Sequence, residues 1–433
     1  MISQMFDMAQ ALETTLITQR RDFHRYPELG WCELRTSSII ARKLTDLKFD
    51  EVLTGRDVCD ADSRMGLPSG EELERQYRRA EQQGADGEFL PRTRGGFTGA
   101  IGILHCGEGP TVALRFDIDA LPLTETAEAG HFPADNGFRS LNDGVMHACG
   151  HDGHATVGLG VAEVLSACRS QLHGTVKLIF QPAEEGVRGA RSIVEQGHLD
   201  GVDYVLGAHM GGNSDTKRLF LGVGDGASLA TTKLNVTYKG RSSHAGVSPE
   251  FGRNAMLAAA TAVLNLHAIP RFGSAATRVN VGKLVAGTGR NLICDNAKLE
   301  LEVRGNSREA NDFMYAYAKR VIVAAAEMHG CESEIDLVGA AQCTHNSPEL
   351  SARVLDILKK AGLPAEETNS GPSGSEDYSY LSERVQQNGG QSCYFNNISC
   401  CRGPFHNNHF DFEEAALVNG VKAFCAVTAA LMQ

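Results

Sequence analysis

Residues 147–154 place one thiol, three imidazoles and one carboxylate in eight consecutive positions, in the order His-Ala-Cys-Gly-His-Asp-Gly-His. A lone histidine is usually a hydrogen-bonded structural residue, but this density of metal-binding groups is typical of a transition-metal site. Alternate residues of an extended segment project to the same side. We therefore expect Cys149 and His151 to face one site, with His154 following as a helix begins.

A pair of carboxylates follows the next apolar run. Glu184 and Glu185 come just after Val176–Phe180, and open α/β sheets place ligand sites at the ends of such strands. Two adjacent carboxylates repel each other unless a cation or a proton intervenes. The two carboxylates can share one site if their roles differ, so that one glutamate binds metal while its neighbour takes a proton from water. A solvated pair in a loop is the alternative, and the nearby cysteine–histidine block weakens it.

Two further histidines are candidate ligands. His209 ends the apolar run Tyr204–Ala208, and His406 lies shortly before the last predicted helix. Taken alone, each is as well explained by a structural role. The candidate set is Cys149, His151, Glu185, His209 and His406. Together these residues supply enough ligands for two divalent ions if one ligand or a water bridges them.

The order of predicted elements indicates an α/β fold with two domains. Strand-like and helix-like runs alternate from about residue 100, which predicts a mostly parallel central sheet. From Leu229 the order becomes β-α-β-β-α-β, the ferredoxin-like unit. We predict a catalytic domain made of residues 1–228 and 343–433, with residues 229–342 inserted as a smaller domain. Residues 56–98 fit neither pattern and are interpreted as an insertion on the catalytic domain.

Composition excludes some classes of function. The chain of 433 residues is longer than one hydrophobic core usually organises, so we expect two or three domains. Lys and Arg total 41 against 53 Asp and Glu, so the net charge of −12 argues against general affinity for nucleic acid or anionic membranes. The twelve cysteines are scattered, and we see neither a signal peptide nor an apolar run of the ~20 residues that span a bilayer. We expect a cytoplasmic protein with reduced thiols.

Several motifs together make the chain similar to a known family. They are Arg21-Asp22-Phe23-His24-x-x-Pro27-Glu28, Asp117-Ile118-Asp119-Ala120-Leu121-Pro122, the block 147–154, Pro182-Ala183-Glu184-Glu185-Gly186, His209-Met210, Gly374-Ser375-Glu376-Asp377 and His406. The sequence resembles the aminoacylase/carboxypeptidase metallopeptidase superfamily, in its amidohydrolase branch, over essentially the whole chain. That branch includes hippurate hydrolase and the indoleacetyl-amino-acid hydrolases.

The resemblance implies a role for each matching residue. It implies that the five candidate ligands bind a pair of divalent metals (zinc or manganese), that Glu184 is the general base, and that Asp119 orients the metal site. The smaller domain is expected to act as a lid and dimer interface. Its His244, in Gly240-Arg241-Ser242-Ser243-His244-Ala245-Gly246, is expected to stabilise the oxyanion in the partner's active site. Asn291 and Arg304 match positions that hold the substrate's carboxylate.

The same resemblance narrows the expected substrate. The insertion, with Ser63–Pro68 and the closing Gly95–Gly99, is shared with relatives that act on an N-acyl-glutamate, and p-aminobenzoyl-glutamate is the favoured substrate. The alternatives are a broader N-acyl-amino-acid amidohydrolase, a non-catalytic partner subunit, and a redox or zinc-storage protein. Both a homodimer and a heterodimer with a related second subunit remain open. His409 lies in the same segment as His406, and we choose His406 as the ligand by its spacing from Phe410-Asp411-Phe412-Glu413.

Overall fold

The computed structural model describes residues 1–368 and 374–433. The chain divides into two compact units. The larger unit holds Met1–Ala227 and most of the chain after His345, and the smaller unit holds Ser228–Thr344 with a short segment ending at Glu376. The domain limits expected from the sequence, 228/229 and 342/343, lie next to these divisions.

The secondary-structure elements are numbered in chain order. The helices are α1 (Ile2–Ala11), α2 (Glu13–Arg25), α3 (Leu34–Asp46), α4 (Gly70–Gln82), α5 (Phe132–Asp135), α6 (His151–Ala167), α7 (Ala190–Glu195), α8 (Ala255–His267), α9 (Arg308–Met328), α10 (Pro348–Lys360), α11 (Tyr378–Gln387) and α12 (Ala415–Leu431). The strands are β1 (Glu51–Thr54), β2 (Ala100–His105), β3 (Thr111–Asp117), β4 (Thr175–Gln181), β5 (Tyr204–Gly211), β6 (Phe220–Val223), β7 (Ala230–Lys239), β8 (Thr277–Ala286), β9 (Asn296–Gly305), β10 (Glu332–Ala341), β11 (Ala365–Glu367) and β12 (Gln391–Ile398).

A mostly parallel sheet forms the centre of the larger unit. Its order is β1-β2-β4-β3-β5-β12-β6-β11, and β4, β3, β5 and β12 run parallel to their neighbours within that block. The carboxyl ends of β3, β4 and β5 therefore lie at one edge of the sheet. This edge is where the predicted carboxylate and histidine ligands leave the strands.

Helix α6 packs into the core of this unit because its interior carries glycines. A Cβ at Gly158 would lie 2.6 Å from the Phe180 ring, and one at Gly160 would lie 2.6 Å from the Val421 side chain. The missing side chains let the helix approach both the sheet and α12 closely. Close packing fixes the position of His151 and His154 in the first turn of α6.

The smaller unit has the predicted β-α-β-β-α-β order, from β7 to β10. Its antiparallel sheet has the order β10-β7-β9-β8. Small buried residues on α8, such as Ala258 and Ala262, let that helix lie close to the sheet. The side chains of Asn254 and Ser307 accept backbone N–H groups at the starts of α8 and α9, which caps both helices.

The insertion is part of the larger unit and contains one regular helix, α4. The Ser69 hydroxyl caps this helix by accepting the Glu72 N–H. Tyr77 and Ala80 on its buried face pack against Leu34 at the start of α3. The insertion is therefore attached to the larger unit by an apolar contact of its own.

Several local predictions were wrong. The N-terminal residues, in which we expect a single amphipathic helix over Met1–Arg21, form two helices, because the chain turns at Leu12 between α1 and α2. The short strands β1, β6 and β11 were missed, since three or four residues carry too little alternation to stand out. Within the described residues, no helix is both long and apolar enough to cross a bilayer.

Candidate metal centre

The candidate ligands meet at the carboxyl edge of the central sheet. Asp119 follows β3, Glu184 and Glu185 follow β4, and His209 lies near the end of β5. Because these three strands are parallel and adjacent, their ends deliver side chains to one place.

The turn before α6 adds the cysteine and the first histidine. Gly150 has φ of +89°, a left-handed conformation that glycine adopts without steric cost, and α6 begins at His151. The expectation of an extended segment was therefore wrong, because the chain turns between Cys149 and His151. Both side chains nevertheless reach the same cluster.

A first cluster joins Cys149, His151 and His209, whose ligand atoms lie within 4.8 Å of one another. The Cys149 Sγ is 3.4 Å from the His209 Nε2. In each histidine the Nδ1 is engaged by a backbone carbonyl: His151 Nδ1 donates to Asp119 O at 2.9 Å, and His209 Nδ1 donates to Met210 O at 2.6 Å. Each Nε2 therefore keeps a lone pair for a ligand, the arrangement typical of metal-binding histidines.

A second cluster joins Cys149, Glu185 and His406, whose ligand atoms also lie within 4.8 Å of one another. The Glu185 Oε1 lies 3.5 Å from the His406 Nε2. His406 is held in place because its backbone N–H donates to Ala148 O at 2.8 Å. His409 instead contacts Asn408 and Glu128, so the structure brings His406 rather than His409 to this cluster.

Two buried polar atoms in these clusters lack a hydrogen-bond partner among the described residues. They are the Nε2 of His151, a fully buried side chain, and the Oε1 of Glu185. An unsatisfied buried acceptor costs about 1–3 kcal/mol, so such atoms call for a ligand. A divalent cation between thiolate, imidazole and carboxylate donors satisfies both, and the residues present therefore fit a metal.

The electrostatics of the site favour a cation. Burial and the negative charge of Glu185 raise the pKa of the Cys149 thiol well above its usual range. Burial raises the pKa of Glu185 to about 7. Burial, with the neighbouring His154 and His151, lowers the pKa of His209 to about 3, which keeps that ring neutral and able to coordinate. A bound divalent cation would stabilise the thiolate and the carboxylate that burial disfavours.

Asp119 holds the two glutamates by their backbone. Its Oδ1 accepts the Glu184 N–H at 3.0 Å and its Oδ2 accepts the Glu185 N–H at 2.9 Å. The residue before them is held by Glu33, whose carboxyl accepts the Ala183 N–H at 2.7 Å. Burial and the charge of Asp119 raise the pKa of Glu33 to about 8. Sequence reasoning missed Glu33, because nothing in its local pattern distinguishes it from a residue at the start of a helix.

A buried hydrogen-bond chain beneath the site was also missed. His154 Nδ1 donates to Asp117 at 2.5 Å, and its Nε2 accepts the Met210 N–H at 2.8 Å. Both ring nitrogens are thus engaged, which makes His154 a support for the His209 strand rather than a ligand in this arrangement. Although burial opposes ionisation, the Arg115 guanidinium holds the pKa of Asp117 well below its usual range. The sequence motif that points to this hydrogen-bond chain is Asp117-x-Asp119.

The three predicted residues of the smaller unit have distinct settings. His244 Nδ1 accepts the N–H groups of Gly246 and Val247 at 3.1 Å each, so its Nε2 carries the proton. The backbone of Asn291 accepts the Ala245 N–H, which places Asn291 beside the His244 segment. Arg304 pairs with Glu302, to which its Nε and Nη2 donate at 2.9 and 3.1 Å.

Comparison with known proteins gives one family. The model of Peptidase family M20/M25/M40 matches residues 113–430. The chain is 44% identical to an indole-3-acetyl-aspartic acid hydrolase of Enterobacter agglomerans, over 95% of this chain and 94% of that protein. It is also 44% identical to a protein of Escherichia coli (strain K12) that is named as one of the subunits of p-aminobenzoyl-glutamate hydrolase, over 93% of this chain and 92% of that protein.

Solved structures agree with this assignment. An aminobenzoyl-glutamate utilization protein from Klebsiella pneumoniae matches with a TM-score of 0.83 and 37% identity, covering 99% of this chain and 98% of that chain. A dinuclear metal-binding peptidase of the M20 family from Bacillus subtilis matches with a TM-score of 0.65 and 26% identity, covering 98% and 99%. The chain therefore belongs to Peptidase family M20/M25/M40 and is a metal-dependent amidohydrolase of that family.

Proposed function

We propose that this protein hydrolyses the amide between an aromatic acyl group and an acidic amino acid, with p-aminobenzoyl-glutamate as the favoured substrate. The products are p-aminobenzoate and glutamate. The observation that carries the proposal is the pair of ligand clusters that share Cys149 beside the buried Glu184. The choice of substrate is supported by the names of the Escherichia coli and Klebsiella pneumoniae relatives.

The clusters suggest two divalent ions in each chain. Cys149, His151 and His209 would hold one ion, and Glu185 and His406 would hold the other, with Cys149 within reach of both. Mixed sulfur, nitrogen and oxygen donors suit zinc, while the carboxylate also suits manganese. When bound, such a pair polarises the amide carbonyl and makes water a better nucleophile.

Glu184 is the general base of this proposal. Its side chain is not needed as a ligand in either cluster, and it is 8% exposed next to Glu185. The carboxylate takes a proton from the attacking water and passes it to the nitrogen of the leaving amino acid. General bases contribute about 10²–10⁴-fold to rate. Because Asp119 holds the backbone N–H of Glu184, the side chain of this glutamate starts from a fixed point of the loop in both transfers.

The smaller unit would complete the site of a second protomer. His244, with its proton on Nε2, is suited to donate to the oxyanion that forms at the amide carbonyl. Asn291 and Arg304 would hold the carboxylate of the substrate, and Arg304 would exchange its contact with Glu302 for that carboxylate. This role requires a dimer, formed with a second copy or with a related second chain. The name of the Escherichia coli relative, which describes that protein as a subunit, supports such a partner.

The location is part of the same proposal. All twelve cysteines are free, as expected for a chain that works in a reducing compartment. We propose that the protein is cytoplasmic.

A second candidate substrate is supported by one observation. The hydrolase of Enterobacter agglomerans, named for indole-3-acetyl-aspartic acid, is as similar to this chain as the p-aminobenzoyl-glutamate hydrolase, at 44% identity. Both substrates join an aromatic acyl group to an acidic amino acid. The two candidates therefore differ in the acyl group and in one methylene of the amino acid.

The test compares kcat/KM for p-aminobenzoyl-glutamate, indole-3-acetyl-aspartate and hippurate, using protein loaded with zinc or manganese and protein treated with a chelator. We expect p-aminobenzoyl-glutamate to be cleaved fastest and hippurate, which lacks the second carboxylate, to be cleaved slowest. Fastest cleavage of indole-3-acetyl-aspartate would favour the second candidate. Cleavage that persists at full rate after chelation, or no cleavage of any of the three, would contradict the proposal.

A further inference from the structure

The loop that carries the two glutamates has a strained backbone. We call residues 183–188 the glutamate loop. Ala183 has φ of +53° and Val187 has φ of +59°, both in the left-handed region. A β-branched residue such as valine is a true outlier there, and each such residue costs about 1–3 kcal/mol. A conformation of this kind persists only where its surroundings hold it.

Buried carboxylates accept hydrogen bonds from the backbone N–H groups in and just after the loop. Glu33 accepts the Ala183 N–H, and Asp119 accepts the N–H groups of both glutamates. Asp377 accepts the N–H groups of Gly189 and Ala190 at 3.1 and 2.9 Å, just after the loop. These contacts fix the N–H groups of the loop, but the carbonyl of Glu185 requires a donor from elsewhere.

Arg188 supplies that donor and at the same time reaches the insertion. Its Nε donates to the Glu185 carbonyl at 2.9 Å, and its Nη1 donates to the Gly66 carbonyl at 3.1 Å. One half-buried guanidinium therefore bridges the glutamate loop and the insertion. Space for it exists because Gly30 lacks a side chain, since a Cβ there would lie 2.3 Å from the Arg188 Nη2.

The insertion is tied down beside this bridge at two further points. The indole N–H of the buried Trp31 donates to the Met65 carbonyl at 2.7 Å. At the closing end of the insertion, the Thr98 hydroxyl donates to the Glu33 carboxyl at 2.7 Å, and this is the carboxyl that holds Ala183. Gly66 and Thr98 of the insertion thus each contact a group that holds the glutamate loop, Arg188 in the first case and Glu33 in the second.

We infer that the 56–98 insertion is a support that keeps the glutamate loop in its strained conformation, with Arg188 as the positioning residue that links the two. The inference rests on the roles proposed above for Glu184 and Glu185, and it gives the insertion a part in catalysis without contact with substrate. Loosening the bridge would misplace the Glu184 carboxylate, so kcat should fall more than KM changes. A misplacement of ~1 Å can cost ~10²-fold in rate.

The first measurement is hydrogen exchange, which does not depend on any substrate. In Arg188→Gln we expect the backbone amides of residues 184–188 to exchange about tenfold faster than in the unaltered protein, with β4 unchanged. Trp31→Phe, which keeps an aromatic ring but loses the N–H, should accelerate the same amides. Arg191→Gln is the matched control, because Arg191 lies on α7, beyond the end of the loop. Unchanged exchange in the loop of both Arg188→Gln and Trp31→Phe would overturn the inference.

The second measurement is steady-state kinetics of the metal-loaded variants. Arg188→Gln and Trp31→Phe should each lower kcat by about 10- to 100-fold at similar KM. In the double variant, the fold-loss in kcat should be smaller than the product of the two single fold-losses, because both substitutions act through the same segment of the insertion. Arg188→Lys should recover part of the activity, and it replaces Arg188→Gln if that variant does not fold. A fold-loss in kcat of the double variant equal to the product of the single fold-losses would contradict the inference. Variants that change only KM would contradict it as well.

The two measurements separate this inference from the proposed function. If the unaltered protein cleaves none of the tested amides, the proposed function fails, while faster exchange in the variants would still support the role of the insertion. If the enzyme is active and the variants keep native kcat and native exchange, the insertion does not position the loop.

Discussion

Asp119 holds Glu184 by its backbone, with the carboxylate Oδ1 3.0 Å from the amide nitrogen of that glutamate. Its other oxygen holds Glu185 in the same way at 2.9 Å. The positions of two neighbouring carboxylates are therefore set by a third, through contacts that do not involve their side chains. Changing either side chain should leave the loop in place, so the roles of the two glutamates can be separated by mutation.

Glu184→Gln should abolish turnover without changing metal content, because it removes the general base but no proposed ligand. We expect a loss of at least about 10²-fold in kcat. Glu185→Gln is the matched variant and should lose both activity and bound metal, since Glu185 belongs to the second cluster. Metal analysis and kinetics of the two variants test the assignment. Near-native activity in Glu184→Gln would show that the roles are assigned wrongly.

Cys149 should be protected from alkylation by bound metal. In the metal-free protein the pKa of its thiol is raised by burial and by Glu185, so labelling after chelation should be slow near pH 7 and faster as pH rises. In the metal-loaded protein labelling should stay slow across the same range, because the sulfur is coordinated. The measurement is the labelling rate of Cys149 by mass spectrometry at several pH values, with the half-buried Cys400 as internal reference. Equal rates with and without metal at the upper end of this pH range would count against coordination.

His24 should make stability depend on pH. It is fully buried, and its Nδ1 and Nε2 donate to Asp152 and Glu125 at 2.8 and 3.0 Å. Although burial opposes the charge, these two carboxylates raise the pKa of His24 to about 9. A raised histidine pKa contributes stability that is fully present below about pH 6.5 and is lost as pH rises toward 9.

The check is the free energy of unfolding of the unaltered protein and of His24→Gln between pH 6.5 and 9. The difference between them should shrink as pH rises, by up to about 3 kcal/mol. His105→Gln, a change at an exposed histidine, is the control. A difference that stays constant over this range would show that His24 does not carry the charge.

Complementation should reveal whether His244 acts in the partner's site. His244→Ala should lose activity and keep its metal. When it is mixed with Glu184→Gln under conditions that allow the protomers to exchange, some mixed dimers carry one site with both residues intact. Part of the activity should then return. A freely exchanging mixture that recovers no activity would confine His244 to its own chain or to a structural role.

Much of the fold could be predicted from the local pattern of apolar and polar residues in the sequence. The strands β3, β4 and β5 are apolar runs that end in or near acidic residues or histidine, and the smaller unit repeats a known order of elements. The turn at Gly150 was not predictable, because the sequence fits an extended segment equally well, and the contact of Gly150 with Met210, where an added Cβ would lie 3.1 Å from that side chain, exists only in the folded chain. Elements of three or four residues, such as β11, lack the length for a periodic signal.

The residues of the candidate site also fall into two groups, those that the sequence indicates and those whose roles appear only in the tertiary fold. Cys149, His151 and the glutamate pair stand out because such residue types rarely cluster without a chemical reason. Glu33 and Arg188 do not stand out, since their roles come from contacts with residues far away in the chain. Long-range hydrogen bonds of this kind depend on the tertiary fold and leave no local pattern in the sequence.

We propose that five side chains of one protomer hold two metal ions, and the number of ions bound per chain tests this. After chelation and reloading with zinc or manganese, elemental analysis and native mass spectrometry should give two ions for the unaltered protein. His209→Ala should lose one ion and His406→Ala the other, while His409→Ala should keep both. A single ion in the unaltered protein, or no loss of an ion in either ligand variant, would contradict a site in which these five side chains hold two ions.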